Sequence, residues 1–185
     1  MASSSTGTLS DEVLWEKLPE ELLTRVLGHV MLDRGFGKCW CSAVRGVSRQ
    51  WLAVHDGVCE RLVVEDGVTD EVMHALCGRL PALTYLDLVW VESLTADGLR
   101  SVGGLTTLTV LRLDGCNVTD AVLWELRGLT SLTRLDLGGC TDVTDVGLQH
   151  LTSITALTTL DLRGTSTTKA GRNSLKAALP ALAIQ

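Results

Sequence analysis

The motif Leu-x-x-Leu-x-Leu begins four times in this chain, at Leu83, Leu108, Leu132 and Leu157, at intervals of 24 or 25 residues. A repeat this short cannot enclose its own apolar side chains, so the units must stack and share one continuous core. The architecture it predicts is an α/β solenoid of parallel strands and helices. Along each strand the leucines alternate with other residues, which turns Leu86/Leu88, Leu111/Leu113, Leu135/Leu137 and Leu160/Leu162 toward the core.

A second anchor line keeps the same rhythm: Val68-Thr69-Asp70, Leu94-Thr95-Ala96, Val118-Thr119-Asp120, Val143-Thr144-Asp145 and Thr167-Thr168-Lys169. Short helices are expected to follow it, over Glu71–Leu76, Asp97–Val102, Ala121–Leu126, Val146–Leu151 and Ala170–Leu175. Thr69, Thr95, Thr119, Thr144 and Thr168 stand where a hydroxyl accepts the first free helical N–H groups. Two turns place a cysteine three residues after the last strand leucine, at Cys116 and Cys140, with Val91 and Thr165 in the corresponding places. The combined pattern, Leu-x-x-Leu-x-Leu-x-x-Cys-x-x-Val-Thr-Asp, resembles the cysteine-containing leucine-rich repeats from about Cys59 to Gln185. Leu179-Pro180-Ala181-Leu182 echoes Leu80-Pro81-Ala82-Leu83 just before the sequence stops. An open strand edge without a polar capping unit is therefore expected, as in a shortened chain or one covered by a partner.

Composition narrows the function. The chain has 185 residues and a net charge of -6, with no Lys/Arg cluster of the density a phosphate backbone needs, so nucleic acid is not an expected partner. No apolar run reaches the 18 to 20 residues that span a bilayer, and Met1–Ser10 lacks the features of a signal peptide. The expectation is an intracellular protein, cytoplasmic or nuclear, without membrane contact, whose cysteines at 39, 41, 59, 77, 116 and 140 are mostly reduced. Cys39-Trp40-Cys41 with His29 has no second ligand pair for structural zinc. His29, His55, His74 and His150 stand beside no recognisable nucleophile motif, and Gly103-Gly104 and Gly138-Gly139 lack the Lys-Ser/Thr of a phosphate loop. No catalytic residue, cofactor or metal site is predicted.

Ahead of the repeats, Leu18-Pro19-Glu20-Glu21-Leu22-Leu23 opens a helix whose proline and acids suit a helix start, with an apolar stripe of Leu22, Leu23, Val26, Leu27 and Val30. A Gly-containing break at 33–37, a second apolar segment from Cys39 to Val47 and a third helix begun at Ser48 complete a small helical unit. Leu-Pro-x-Glu-Leu-Leu-x-x-Val-Leu, followed by Ala43-Val44-Arg45-Gly46-Val47-Ser48-Arg49-Gln50-Trp51, resembles the F-box over about Val13 to Leu62. Met31–Lys38 is longer and more Gly-rich than the turn usual in that family. The whole arrangement resembles an F-box/LRR protein. That resemblance implies a substrate-receptor subunit of a Skp-cullin-F-box E3 ubiquitin ligase, with transfer chemistry left to other subunits. It implies that Leu18, Pro19, Leu22, Leu23, Val26, Leu27, Val44, Val47 and Trp51 contact a Skp-type adaptor, and through it a cullin. The alternative is a plain leucine-rich repeat interaction module whose N-terminal helices only cap the solenoid. The expected domains are a flexible N-terminus over 1–12, the F-box-like unit over 13–62 and the repeats, about five with the last incomplete, over 63–185.

Between the core leucines, the outward strand positions are Tyr85, Asp87 and Val89; Val110, Arg112 and Asp114; Arg134, Asp136 and Gly138; and Thr159, Asp161 and Arg163. A target protein, of unknown identity, is expected on this concave face. The column Asp87, Arg112, Asp136, Asp161 reads as a ladder of solvated ion pairs. Trp90 occupies a turn position where other repeats have glycine, and is either an anchor for a ligand or a plug above the first repeat. The strip is only about 15–25 Å wide, which is expected to mean a short peptide ligand, the help of other segments, or an incomplete chain.

Overall fold

The computed structural model describes residues 60–64 and 67–185. One sheet of six parallel strands runs in chain order: β1 (Arg61–Val63), β2 (Tyr85–Asp87), β3 (Val110–Arg112), β4 (Arg134–Asp136), β5 (Thr159–Asp161) and β6 (Ala183–Ile184). The intervening helices are α1 (Asp70–Arg79), α2 (Ala96–Arg100), α3 (Asp120–Leu126), α4 (Asp145–His150) and α5 (Lys169–Ala178). Consecutive strands bring Leu62, Leu86, Leu111, Leu135, Leu160 and Ile184 into one register. Every leucine of that row is buried, as are Leu88, Leu113, Leu137 and Leu162 two residues further on. From the helix side Val72, Met73, Leu99, Val122, Leu123, Leu126 and Leu148 close the same core. The predicted solenoid is therefore the fold. Its sheet includes Arg61–Val63, which pairs with β2.

Strands β1 to β5 are only three residues long each, so backbone pairing alone supplies few hydrogen bonds, and columns of side chains join the units further. Thr84 Oγ1 donates to the Glu60 carbonyl, and Thr109, Thr133 and Thr158 each donate to the carbonyl of the preceding threonine in the column, at 2.9–3.0 Å. The cysteines at the turns behave as buried small side chains: Cys116 Sγ donates to the Leu88 carbonyl and Cys140 Sγ to that of Leu113. Burial pushes their thiols up, to about 12 and about 11 respectively, so both are inert at neutral pH.

A third column explains the helix starts. Asp70 accepts hydrogen bonds from the amide and hydroxyl of Thr95, one unit on, at 2.9 and 2.5 Å. Asp120 does the same for Thr144, at 2.8 and 2.6 Å, and Asp145 for Thr168, at the same two distances. Each hydroxyl so held accepts a helical N–H: Thr95 from Asp97, Thr144 from Val146 and Thr168 from Gly171. Thr119, by contrast, follows a unit with Ala96 in place of the aspartate, and its side chain makes no cap hydrogen bond. Thr69 makes none either. The expectation of five hydroxyl caps is thus corrected to three. The aspartates also dictate glycines: a Cβ on Gly98, Gly147 or Gly171 would collide with Asp70, Asp120 or Asp145 respectively. Downstream of Ala96 the matching position holds Val122, which is buried.

The helices differ from expectation mainly at their ends. α2 and α4 tighten into 3-10 turns at Ser101–Gly104 and Leu151–Ser153, and α1 and α5 each run to ten residues. In α5 only Leu175 is buried, so the last unit is polar and alanine-rich where the inner helices are apolar.

The Asp145–Gly171 contact generates a stability prediction. Gly171→Ala should lower the melting temperature, whereas in an Asp145→Ala background the same change should raise it, because alanine favours a helix once the collision is gone. Hydrogen bonds from the Thr168 hydroxyl and amide hold the Asp145 carboxyl below its ordinary range. Its contribution is accordingly present above about pH 4 and is lost as pH falls through the lower folded value. Asp145→Asn should flatten that acid limb in pH-dependent thermal unfolding; an unchanged limb would show that the contact contributes nothing.

Candidate binding face

The strand side of the sheet carries two rows of the predicted residues in register. Tyr85, Val110, Arg134 and Thr159 align across β2 to β5, and so do Asp87, Arg112, Asp136 and Asp161. Arg112 bridges three strands: Nη1 bonds Asp87 Oδ2 at 2.8 Å, and Nε lies 3.4 Å from Asp136 Oδ2. Arg134 bonds Asp136 Oδ2 through Nε and Nη2, both at 3.0 Å. Arg163 grips Asp161, with Nε 2.9 Å from both oxygens, and its amide closes a turn onto Oδ1 at 3.0 Å. The Tyr85 hydroxyl donates to Asp87 Oδ2 at 3.1 Å, and the Arg61 guanidinium covers the Tyr85 ring at 4.1 Å.

This differs from the expected solvated ladder. Asp87, Asp136 and Asp161 are buried, with Asp136 only 3% exposed at the side chain, while the arginines above them stay accessible. The sheet brings the carboxylates close to the backbone turns, and the longer guanidinium stems fold over them. Hydrogen bonding from Arg163 holds the Asp161 carboxyl below the usual carboxylate range. Val110 and Thr159 are half-buried beside this network and make no polar contact across it.

Trp90 closes the row of turns. At the equivalent turn positions Gly115, Gly139 and Gly164 have φ of 71°, 77° and 74°, and Trp90 itself has φ of 59°. Its amide donates to the Asp114 carbonyl at 2.8 Å, and its ring lies against Gly115. It is 65% exposed, so it does not plug the first unit.

Sequence reading missed a second surface, on the helices. Trp124 on α3 packs edge-on against His150 of α4, 4.9 Å between ring centres, and the Arg127 guanidinium lies 3.8 Å from its ring. Together with the exposed Val146 it borders a shallow groove of about 460 Å³ between the two helices. The signal was present: the column His74, Arg100, Trp124, Gln149, Asn173 has one apolar member. The adaptor-contact residues, Leu18, Pro19, Leu22, Leu23, Val26, Leu27, Val44, Val47 and Trp51, lie outside the described residues. Among the described residues no group of His, Cys, Asp and Glu is placed to hold a metal ion, and no helix is long and apolar enough to cross a membrane.

Burial asymmetry ranks the arginines. Arg112→Ala strips a cation from two enclosed carboxylates and should cost about 1–3 kcal/mol, a buried-pair penalty discounted for its 36% exposure. Arg163→Ala, at 72% exposure, should cost markedly less in urea unfolding; the reverse order would show that the network does not hold the strands.

A family model described as Leucine Rich repeat matches residues 104–121 and 128–152. No curated protein matches the chain. Among solved structures, an internalin of Listeria monocytogenes is 20% identical at a TM-score of 0.52, with 72% of this chain aligned to 36% of that one. A leucine-rich-repeat protein of Leptospira interrogans is 20% identical at 0.43, covering 68% of this chain and 36% of that one. An internalin C2 of Listeria monocytogenes is 24% identical at 0.40, covering 71% and 72%. This chain spans about a third of the first internalin's length, and the likeness is one of fold. Periodicity and register show a parallel-strand solenoid over the described residues, and the Leucine Rich repeat model matches two stretches within it.

Proposed function

We propose that this chain is a non-catalytic binding protein that holds a protein partner on its strand face and the adjoining Trp90 rim. The reading is carried by Trp90. A left-handed conformation costs a residue with a side chain about 1–2 kcal/mol, and glycine relieves it in the neighbouring turns. An indole that remains mostly in solvent returns little of that cost through burial. Exposed tryptophan on a rigid turn is the chemistry of an interface anchor, large in contact area and low in conformational entropy.

The finer proposal is a substrate receptor of a Skp-cullin-F-box ubiquitin ligase. Its support is the order of motifs in the sequence, Leu18-Pro19-Glu20-Glu21-Leu22-Leu23 and the Val44 to Trp51 segment directly upstream of leucine-rich repeats. The receptor works by proximity: it raises the effective concentration of the target beside a charged transfer enzyme and contributes no chemistry of its own. Leu18, Pro19, Leu22, Leu23, Val26, Leu27, Val44, Val47 and Trp51 would form the adaptor contact.

Two measurements test these levels separately. A Skp-type adaptor should co-purify with the full chain and not with a Leu18→Ala, Pro19→Ala, Leu22→Ala variant of unchanged circular dichroism. Absence of capture by the unaltered chain removes the ligase reading and leaves a repeat module with helices at its start. Trp90→Gly should unfold within about 1 kcal/mol of the unaltered chain, or be more stable, since strain is released as packing is lost; a loss above about 2 kcal/mol, in the range of buried large-to-small changes, would make Trp90 a packing residue.

A further inference from the structure

Among the described residues four seams join the five helices α1 to α5, and three of those seams are locked on the helix side in the same way. Asp70, Asp120 and Asp145 each take the amide and the hydroxyl of the threonine that begins the next helix, Thr95, Thr144 and Thr168, at 2.5–2.9 Å. A carboxylate held by two donors is a directional joint, and it fixes both the distance and the angle between neighbouring helices. The seam between α2 and α3 has no such joint. Ala96 stands in the place of the aspartate, and the Thr119 hydroxyl makes no cap bond.

Three weaker contacts hold the helix side there. Val122 is buried against the core, Gly103 approaches the Glu125 carbonyl so closely that a Cβ would come within 2.7 Å, and Asn117 Nδ2 reaches the Glu92 and Leu94 carbonyls at 3.2 and 3.5 Å. The first two are packing contacts without a preferred angle, and the Asn117 bonds lie at or beyond the long end of the usual range. The strand side of the same seam is stitched more tightly. Arg112 Nη1 pairs with Asp87, Cys116 Sγ donates to the Leu88 carbonyl and the Trp90 amide donates to the Asp114 carbonyl, all at 2.8 Å, while the Trp90 ring lies on Gly115. A seam fixed along one side and without its joint on the other has the geometry of a hinge, and sliding of packed helices is the motion it permits.

We propose that the solenoid hinges between its second and third units, about an axis along the β2–β3 pair, with α2 and α3 shifting against each other on the helix side. The segment from β1 to α2 turns as one body against the segment from β3 to β6. Trp90 lies on the axis, so its rim keeps its shape while the strand face on either side changes curvature. A partner held across that face then selects one tilt of the two bodies. That consequence rests on the strand face being the binding face; the hinge itself needs neither a ligand nor the ligase reading.

The test is pulsed EPR on the full chain, with spin labels carried on p-acetylphenylalanine so that the native cysteines stay untouched. One pair of labels, at the exposed positions of His74 and Glu125, spans α1 to α3 and includes the hinge. The other, at Glu125 and the exposed Asn173, spans α3 to α5 and crosses two jointed seams. The first distance distribution should be the broader of the two. Installing the joint with Ala96→Asp and Val122→Gly should narrow it. Removing the joint from the next seam with Asp120→Ala and Gly147→Val should broaden the second pair. The proposal is overturned if the two distributions are equally wide in the unaltered chain, a comparison that stands whatever the variants do, or if the second pair stays as narrow in a folded Asp120→Ala, Gly147→Val variant. Neither adaptor nor target takes part, so a rigid seam removes the hinge alone and adaptor capture still reports on the ligase reading.

Discussion

Everything in this solenoid hangs on the leucine row that consecutive strands share. Leu86, Leu111, Leu135 and Leu160 align in register and are fully buried, each covered by the units on either side. Burying one such side chain contributes about 1.5–3 kcal/mol, but a lone unit has nothing to bury it against. Stability is therefore a property of neighbouring pairs, and whatever fixes the distance and phase between units fixes the structure.

Three polar columns do that phasing. The threonine column ties strand starts, the cysteines tie turns, and the aspartate–threonine column ties helix starts. The last of these reaches furthest, because one side chain sets both the cap and the permitted size of a residue in the next unit. Where aspartate is present, glycine follows in the next helix. Ala96 interrupts the column, and two features lapse with it: the glycine becomes the buried Val122 and the Thr119 hydroxyl is left without its capping bond.

The same alternation that buries the leucines forces the intervening residues outward, with neighbouring strands about 4.8 Å apart. Charges so close cannot act independently. Arg112 touches carboxylates of both flanking strands, and buried aspartates under exposed guanidiniums follow from the difference in side-chain length. Arg112 also reaches Asp114, with Nη2 3.8 Å from Oδ2, beside the positive-φ turn at Trp90.

Periodicity alone determined the unit length, the parallel sheet, the inward leucines, the helix starts and the identity of the outward positions, because each follows from a repeat of 24 or 25 residues and the two-residue alternation of a strand. A careful comparison of repeats would also have exposed Trp124 among polar equivalents and the pairing of aspartate with a downstream glycine. Only the tertiary structure decided which threonines cap, which carboxylates are enclosed, and that Trp90 stands in solvent against Gly115. Those outcomes depend on distances between units, and a pattern read along the chain carries the order of residues but not the separation of side chains that lie far apart in sequence.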